Sequence, residues 1–251
     1  MFSDNWDLYC GPAPSPAELW TQWNFDPLAI ALMLALAVAW RVVGRRDAVG
    51  RAAFGAATIL LAVAFLSPLC ALTTALFSAR VAHHVILIGV TAPLLSIALP
   101  WRSGPLLPLS ALTILNALVL WIWHAPSAYQ WAVVGAVPYW LMQLTLLASA
   151  WLFWREVLSP LAQRGGAVIA LLAFVAQMGL LGALLLFSPF AVYAPHFSTT
   201  SAYGLSALSD QQLAGLLMWV PAMIPYLSGG VWLTLKLVEK LPGTARSQWM
   251  Q

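Results

Sequence analysis

Four histidines and two cysteines are the residues of this 251-residue chain best suited to metal chemistry. Imidazole nitrogen and thiolate sulfur are donors for soft and borderline ions such as copper and zinc. His83 and His84 stand side by side in "SARVAHHVILIGV", His124 closes "WIWHAPSAY", and His196 lies in "VYAPHFSTTSAYG". Cys10 sits in the N-terminal stretch and Cys70 in "SPLCALTTALFS". Neighbours on a helix diverge by about 100°, so His83 and His84 do not readily serve one ligand together. His84 instead shares a face with Arg80 through the i, i+4 relation. Plainer roles exist for each: packing or interfacial residues at 83 and 84, a helix end at 124, a solvated loop side chain at 196. For Cys10 and Cys70 a disulfide, a metal-ligand role and free thiols all stay open. Met142, Met178 and Met218 could offer thioethers to reduced copper, although scattered methionines in an apolar chain are ordinarily packing residues.

The elements that must carry these groups are membrane spans. The chain is 62% hydrophobic and 8% charged, against about 25% charged residues in a soluble domain. A helix needs about 20 apolar residues to cross a bilayer. Seven such stretches occur, at residues 27–43, 52–69, 80–99, 109–124, 138–154, 166–187 and 211–237, the last with Pro221 and Pro225 as kink sites. The fold class is therefore an all-α integral membrane bundle. Residues 1–26 form an acidic, Pro-rich outer tail, 27–237 the bundle and 238–251 an inner tail. With the N-terminus outside and the C-terminus inside, Arg41, Arg45, Arg46, Arg51, Arg102, Arg155, Arg164, Lys236, Lys240 and Arg246 all fall on the inner side, ten of the eleven basic residues. That is the positive-inside asymmetry. Its one exception, Arg80, opens the third span at the outer end, where all four histidines and both cysteines also lie. The net charge of +3 is thus a topology signal rather than a nucleic-acid footprint.

Charged groups at membrane depth mark functional sites, so Arg80 requires a partner. Asp210 is the first choice, as an ion pair. Asp210 belongs to "LSDQQLAGLLMWVP", where Ser209 and Gln212 fit a capping box and the acidic side chain suits a helix N-terminus. No Walker loop, intramembrane carboxylate pair or Ser-His-Asp arrangement is present, and a catalytic role is not expected.

The segments "FLSPLCALTTALFSARVAHHVILIGVTAPLL", "WIWHAPSAY", "WLFW" and "YGLSALSDQQLAGLLMWVP" resemble the CtaG-type cytochrome c oxidase assembly factors, seven-helix proteins of the bacterial inner membrane. The similarity covers about residues 25–237. It implies a role in assembling or metallating a respiratory oxidase at the periplasmic face, with oxidase subunits and a periplasmic copper chaperone as partners and copper as the metal handled. By motif, the resemblance singles out His84, His124 and the run Asp210, Gln211, Gln212 and Gly215, with His83 as an additional metal candidate. It also implies histidines at two positions where this chain has Arg80 and Gln143. Alternatives are a metal-independent scaffold that binds an apo-oxidase subunit or chaperone, a small copper or solute transporter, and a haem-binding membrane cytochrome.

Overall fold

A computed structural model describes residues 8–100, 107–159 and 163–239. Among these the architecture is all-helical, with a single isolated antiparallel bridge between Leu8 and Val134. Helix α1 (Pro27–Val43) starts where the Asp26 carboxylate accepts the N–H groups of Leu28 and Ala29, with Pro27 at the first helical position. Both features suit a helix start, whose N–H groups lack helical partners. Asp47 caps α2 (Ala48–Phe65) in the same way through Gly50, so the second span opens four residues earlier than its apolar run predicts. A short α3 (Leu69–Ala75) is followed by an extended residue, Leu76, and then by α4 (Phe77–Val85).

Helix α4 continues through a wide π-type turn, Ile86–Thr91, into α5 (Ala92–Ala98). The cause is Pro93, which has no N–H to donate and whose ring crowds the carbonyl one turn before it. The backbone widens locally, and the Ala92 N–H donates to Leu87 O rather than to Ile88 O. In this wider register the next partner for the Ile88 carbonyl would be Pro93. The orphaned carbonyl instead accepts the Trp154 indole N–H at 3.1 Å and the Tyr226 hydroxyl at 3.3 Å. A sequence-local defect is thereby converted into an inter-helix tie.

Helices α6 (Leu109–His124) and α7 (Pro126–Val133) meet at a 76° bend with Pro126 opening the second. Beyond Gly135, whose positive φ of 84° suits glycine, come α8 (Ala136–Val157), α9 (Arg164–Leu186), α10 (Ala207–Trp219) and α11 (Met223–Val238). The break between α10 and α11 falls at Pro221. Pro225 causes none, since it lies in the first turn of α11, where its missing N–H has no helical partner to lose.

Among the described residues, five segments are long and apolar enough to cross a membrane: Ala48–Phe65, Phe77–Ala98, Ala136–Val157, Arg164–Leu186 and Ala207–Val238. The bent pair α6–α7 passes the same test when taken together, giving six, while α1, at 17 residues, is apolar but falls short of the seventh expected span. Side chains such as Leu34, Val38, Ile59, Ile114 and Ile169 point outward along these helices, as lipid-facing residues do. Arg102, Lys240 and Arg246 lie outside the described residues. The remaining basic residues apart from Arg80 cluster at one end of the bundle. Arg41 and Arg155 close their helices, Arg164 opens α9, and its guanidinium donates to Lys236 O near the close of α11 at 2.6 Å. Arg45 N–H donates to Ala98 O at the foot of α5, 2.8 Å away. The histidines occupy the other end.

Helices α9 and α10 cross at Gly182 and Gly215. A Cβ at Gly182 would stand 2.9 Å from Gly215 O, and one at Gly215 would stand 2.6 Å from both Gly182 O and Leu186 N. Both obstacles are backbone, which cannot swing aside. Gly215→Ala is therefore expected to destabilise the protein by about 1–3 kcal/mol, the usual range for overpacking. Gly55→Ala, at a helical glycine with nothing within 4 Å of the new methyl, should leave the thermal midpoint unchanged or slightly raised. Thermal unfolding of the two purified variants in the same detergent checks the contrast.

Candidate functional site

The site is built from the N-terminus of α4. Leu76 offers no side-chain cap to that helix, and the missing acceptor comes from α10. The Asp210 carboxylate accepts the Phe77 N–H at 2.6 Å, the Ser78 N–H at 3.2 Å and the Ser78 hydroxyl. Asp210 has no exposure, and three donors offset the cost of burying its charge. This arrangement corrects the expected ion pair: Asp210 is engaged by the helix end, and Arg80 forms no salt bridge with it among the described residues. The expected capping box shifts as well. Ser206 is the N-cap of α10 and accepts the Ser209 N–H at 3.0 Å, one turn before the predicted place.

The neighbouring Gln211 ties the outer loop down. Its carbonyl accepts the Val192 N–H at 2.8 Å, and its amide N–H donates to Phe190 O at 3.2 Å. Gln212 is partly exposed and makes no side-chain hydrogen bond among the described residues.

One turn along α4 from this anchor is Arg80, 1% exposed. Its guanidinium carbon lies 5.3 Å from the centre of the Tyr139 ring, a cation–π contact, and its Nε and Nη1 have no hydrogen-bond partner. A further turn on is His84, which faces His124. The two ring centres are 5.6 Å apart and the planes are near perpendicular, at 79°. His124 Nδ1 lies 2.7 Å from the Leu120 carbonyl. That contact makes Nδ1 the protonated nitrogen and leaves Nε2 with its lone pair free. His124 Nε2 and both nitrogens of His84 are buried without partners.

His83 is turned to the other side of α4. It stands edge-on to Phe65 at 5.3 Å, and its ring centre is 5.8 Å from that of His84 with the planes tilted by 56°. Gln143 is 1% exposed, and both atoms of its amide lack partners. It follows Tyr139 by one turn of α8. Among the described residues no three or more His, Cys, Asp or Glu side chains gather around one point. A groove of about 320 Å³ bounded by Trp121, His124, Tyr193 and Gln211 gives this region an opening to the surface.

His196 is not a solvated loop residue. The turn Ala194–His196 folds it inward, leaving 3% exposed, against Phe77 and with Nε2 2.7 Å from the Tyr129 hydroxyl. Pro195 in that turn shortens the path back into the bundle, a feature that composition alone does not announce. Burial first, and the Arg80 charge second, push His196 down from an ordinary 6.5 to about 3. The cysteines are resolved too: Cys10 and Cys70 form a disulfide. The Tyr139 hydroxyl lies 3.9 Å from each sulfur. Tyr129, Tyr139 and Tyr193, which line this end of the bundle, were not singled out by the sequence. The available signal was a tyrosine one turn before Gln143 and another in the histidine motif itself.

The fold and the site together define a helical protein with membrane-length apolar helices and a buried polar cluster at one end. Over residues 31–240 the chain matches the family model of the cytochrome c oxidase caa3 assembly factor (Caa3_CtaG), and it belongs to that family. That description is of an assembly role rather than of a catalysed reaction. Neither the curated proteins nor the solved structures contain a match to the chain.

The lowered His196 yields a pH test. Between 6.5 and about 3 the unfolded chain takes up a proton at this residue that the folded chain refuses. Its stabilising contribution is complete above the upper value and is lost as pH falls toward the lower, by at most about 1.4 kcal/mol per pH unit. Wild-type protein should therefore lose thermal stability on acidification more steeply than His196→Gln. Parallel slopes for the two proteins would contradict the assignment.

Proposed function

We propose that the chain crosses the bacterial inner membrane seven times, N-terminus outside, and works at the periplasmic face in metallating a cytochrome c oxidase. His84 and His124 hold or pass copper as cargo. The carrying observation is the facing pair: two buried imidazoles, ring centres 5.6 Å apart, with unpartnered nitrogens. Two imidazoles sharing one ion at about 2 Å from each nitrogen have ring centres about 6 Å apart. The pair thus already stands at the separation that a bridging ion requires. Cu(I), a closed-shell monovalent ion, is satisfied by two opposed donors. The nearby Arg80 charge disfavours a divalent ion more than a monovalent one, and a two-donor site releases its ion more readily than a closed four-donor site. A groove borders His124 on its outer side. Segregation of the basic side chains to the end away from the histidines supports the orientation.

The copper role is checked by loading purified, oxidised protein with Cu(I) under anaerobic conditions and counting metal. One ion per chain is expected for wild type and none for the His84→Ala, His124→Ala double variant. Equal loading of the two would remove the copper role.

A second reading, a scaffold that binds an apo-oxidase subunit or copper chaperone without metal, is favoured by the absence of a third donor among the described residues. Arg80 and Gln143, standing where the family resemblance implies histidines, favour it too. Recovery of oxidase subunits with the protein from a metal-depleted strain supports this reading; association only when copper is supplied supports the first.

A further inference from the structure

We propose that Cys10 and Cys70, once released from their disulfide by an external dithiol, form a second Cu(I) site, made of two thiolates and lying outward of the histidine pair. The proposal rests on the copper reading above for its biological sense, but its chemistry stands on different residues. Cys10 also lies outside the stretch matched by the family model.

Both cysteines are held in place by contacts that do not pass through the sulfur–sulfur bond. On the Cys10 side, the Tyr9 N–H donates to Val133 O at 3.2 Å, and the Gly11 N–H closes a turn on Leu8 O at 3.0 Å. The Tyr9 ring stacks on Tyr139 with centres 3.9 Å apart, while its hydroxyl binds Asp26 and accepts the Trp140 indole N–H. On the other side Cys70 is fully buried in the first turn of α3. Its N–H donates to Ser67 O at 3.1 Å, and Asn24 Nδ2 lies 3.4 Å from its sulfur. Reduction therefore leaves two thiols facing each other rather than a freed N-terminal strand. Sulfur is the donor that reduced copper prefers over the alternatives a protein offers.

The pair is also positioned for transfer. The Tyr139 hydroxyl reaches to within 3.9 Å of both sulfurs, and its ring lies against the Arg80 guanidinium, one turn from His84. The Tyr139 ring and the Arg80 guanidinium lie between the two sites.

Cys10 is only half-buried whereas Cys70 is enclosed, which directs attack to the Cys10 sulfur. A thiolate of the dithiol bonds to Cys10 Sγ, the existing disulfide breaks, and Cys70 leaves as a thiolate. The second thiol of the reductant then displaces Cys10, closing the reductant's own disulfide. Two electrons and two protons pass from dithiol to protein. Cu(I) binding next displaces the two thiol protons, and the copper stays monovalent throughout. In the disulfide form the pair has no thiolate to offer, so the thiol state gates this site.

The full-length protein, oxidised or reduced by a phosphine that is then removed, is titrated with Cu(I) against a competing chromophoric chelator. Free thiols are counted in parallel. Reduced wild type should bind one Cu(I) per chain more than oxidised protein, with an ultraviolet copper–thiolate band. Cys70→Ser should lose that increment and the His84→Ala, His124→Ala variant should keep it. Reduced wild type alkylated with iodoacetamide should also lose it, so a misfolded serine variant does not decide the outcome. Equal loading before and after reduction, or a disulfide that resists reduction in the folded protein, overturns the proposal. If the histidine reading alone fails, oxidised protein binds no copper while the increment on reduction survives.

Discussion

The arrangement of this end of the molecule depends on one buried carboxylate. Asp210 reaches from the first turn of α10 to the open N-terminus of α4 and supplies acceptors that Leu76 and its neighbours lack. A charged acceptor at a helix N-terminus is favourable twice over, through hydrogen bonds and through the helix dipole. Its consequence is positional. It sets the depth and rotation of α4, and with them the depth of Arg80 and His84 one and two turns on. The anchor is itself braced. Helix α10 is pressed against α9 at the Gly182–Gly215 crossing, and Gln211, the residue next to the anchor, binds the loop that brings Tyr193 and His196 over the cluster. Three residues of one short motif thus do three different jobs: cap, latch and close contact.

The same constraint explains why Arg80 is where it is. A guanidinium without a carboxylate is an expensive group to bury, and here its charge rests on aromatic faces and phenols rather than on an anion. Tyr139 stacks beneath it, and Tyr129 and Tyr139 both lie close enough to feel its field. The outer end of the bundle thus holds a buried guanidinium, Arg80, and a buried carboxylate, Asp210, about a turn apart and not paired with each other, with His84, His124 and Gln143 buried as well.

Much of this was legible in the sequence, and the residues show why. The helix positions followed from apolar runs; Asp47 and Ser206 moved two of the starts by about a turn, the second helix ends at Phe65 instead of Leu69, and α8 extends two or three residues beyond its apolar run at each end. The shared face of Arg80 and His84 followed from helical periodicity alone, but the nearness of the His83 ring to that of His84, 5.8 Å between centres, did not. What the sequence hid were the partners chosen in space. Asp210 is an apt dipole partner for its own helix, yet it caps another. His196 carries every local mark of a loop residue, and only the return of the 194–196 turn buries it. The disulfide could not be separated from its alternatives, because pairing depends on the N-terminal strand crossing the α7–α8 junction at Val133. The π turn was foreshadowed by Pro93, but the use made of it, a carbonyl offered to Trp154 and Tyr226, depends on helices remote in the chain.

The two departures from the family resemblance take on a definite meaning in this geometry. Arg80 and Gln143 are both buried, on α4 and α8, and the Tyr139 ring one turn before Gln143 lies against Arg80. Imidazoles at both places would add nitrogen donors at this end of the bundle, of the kind that closed Zn(II) and Cu(II) sites use. A cation and a neutral amide leave a two-nitrogen site beneath a positive charge. On the copper reading proposed above, a two-donor site would release its ion more readily than a closed one, as suits a station that ions pass through rather than one that stores them. The Cys10–Cys70 pair, when reduced, would add softer donors beyond the Tyr139 ring and the Arg80 guanidinium. On the two proposals made above, a soft outer pair and a borderline inner pair would form a gradient in donor character, along which Cu(I) is held or handed on according to which thiols are reduced.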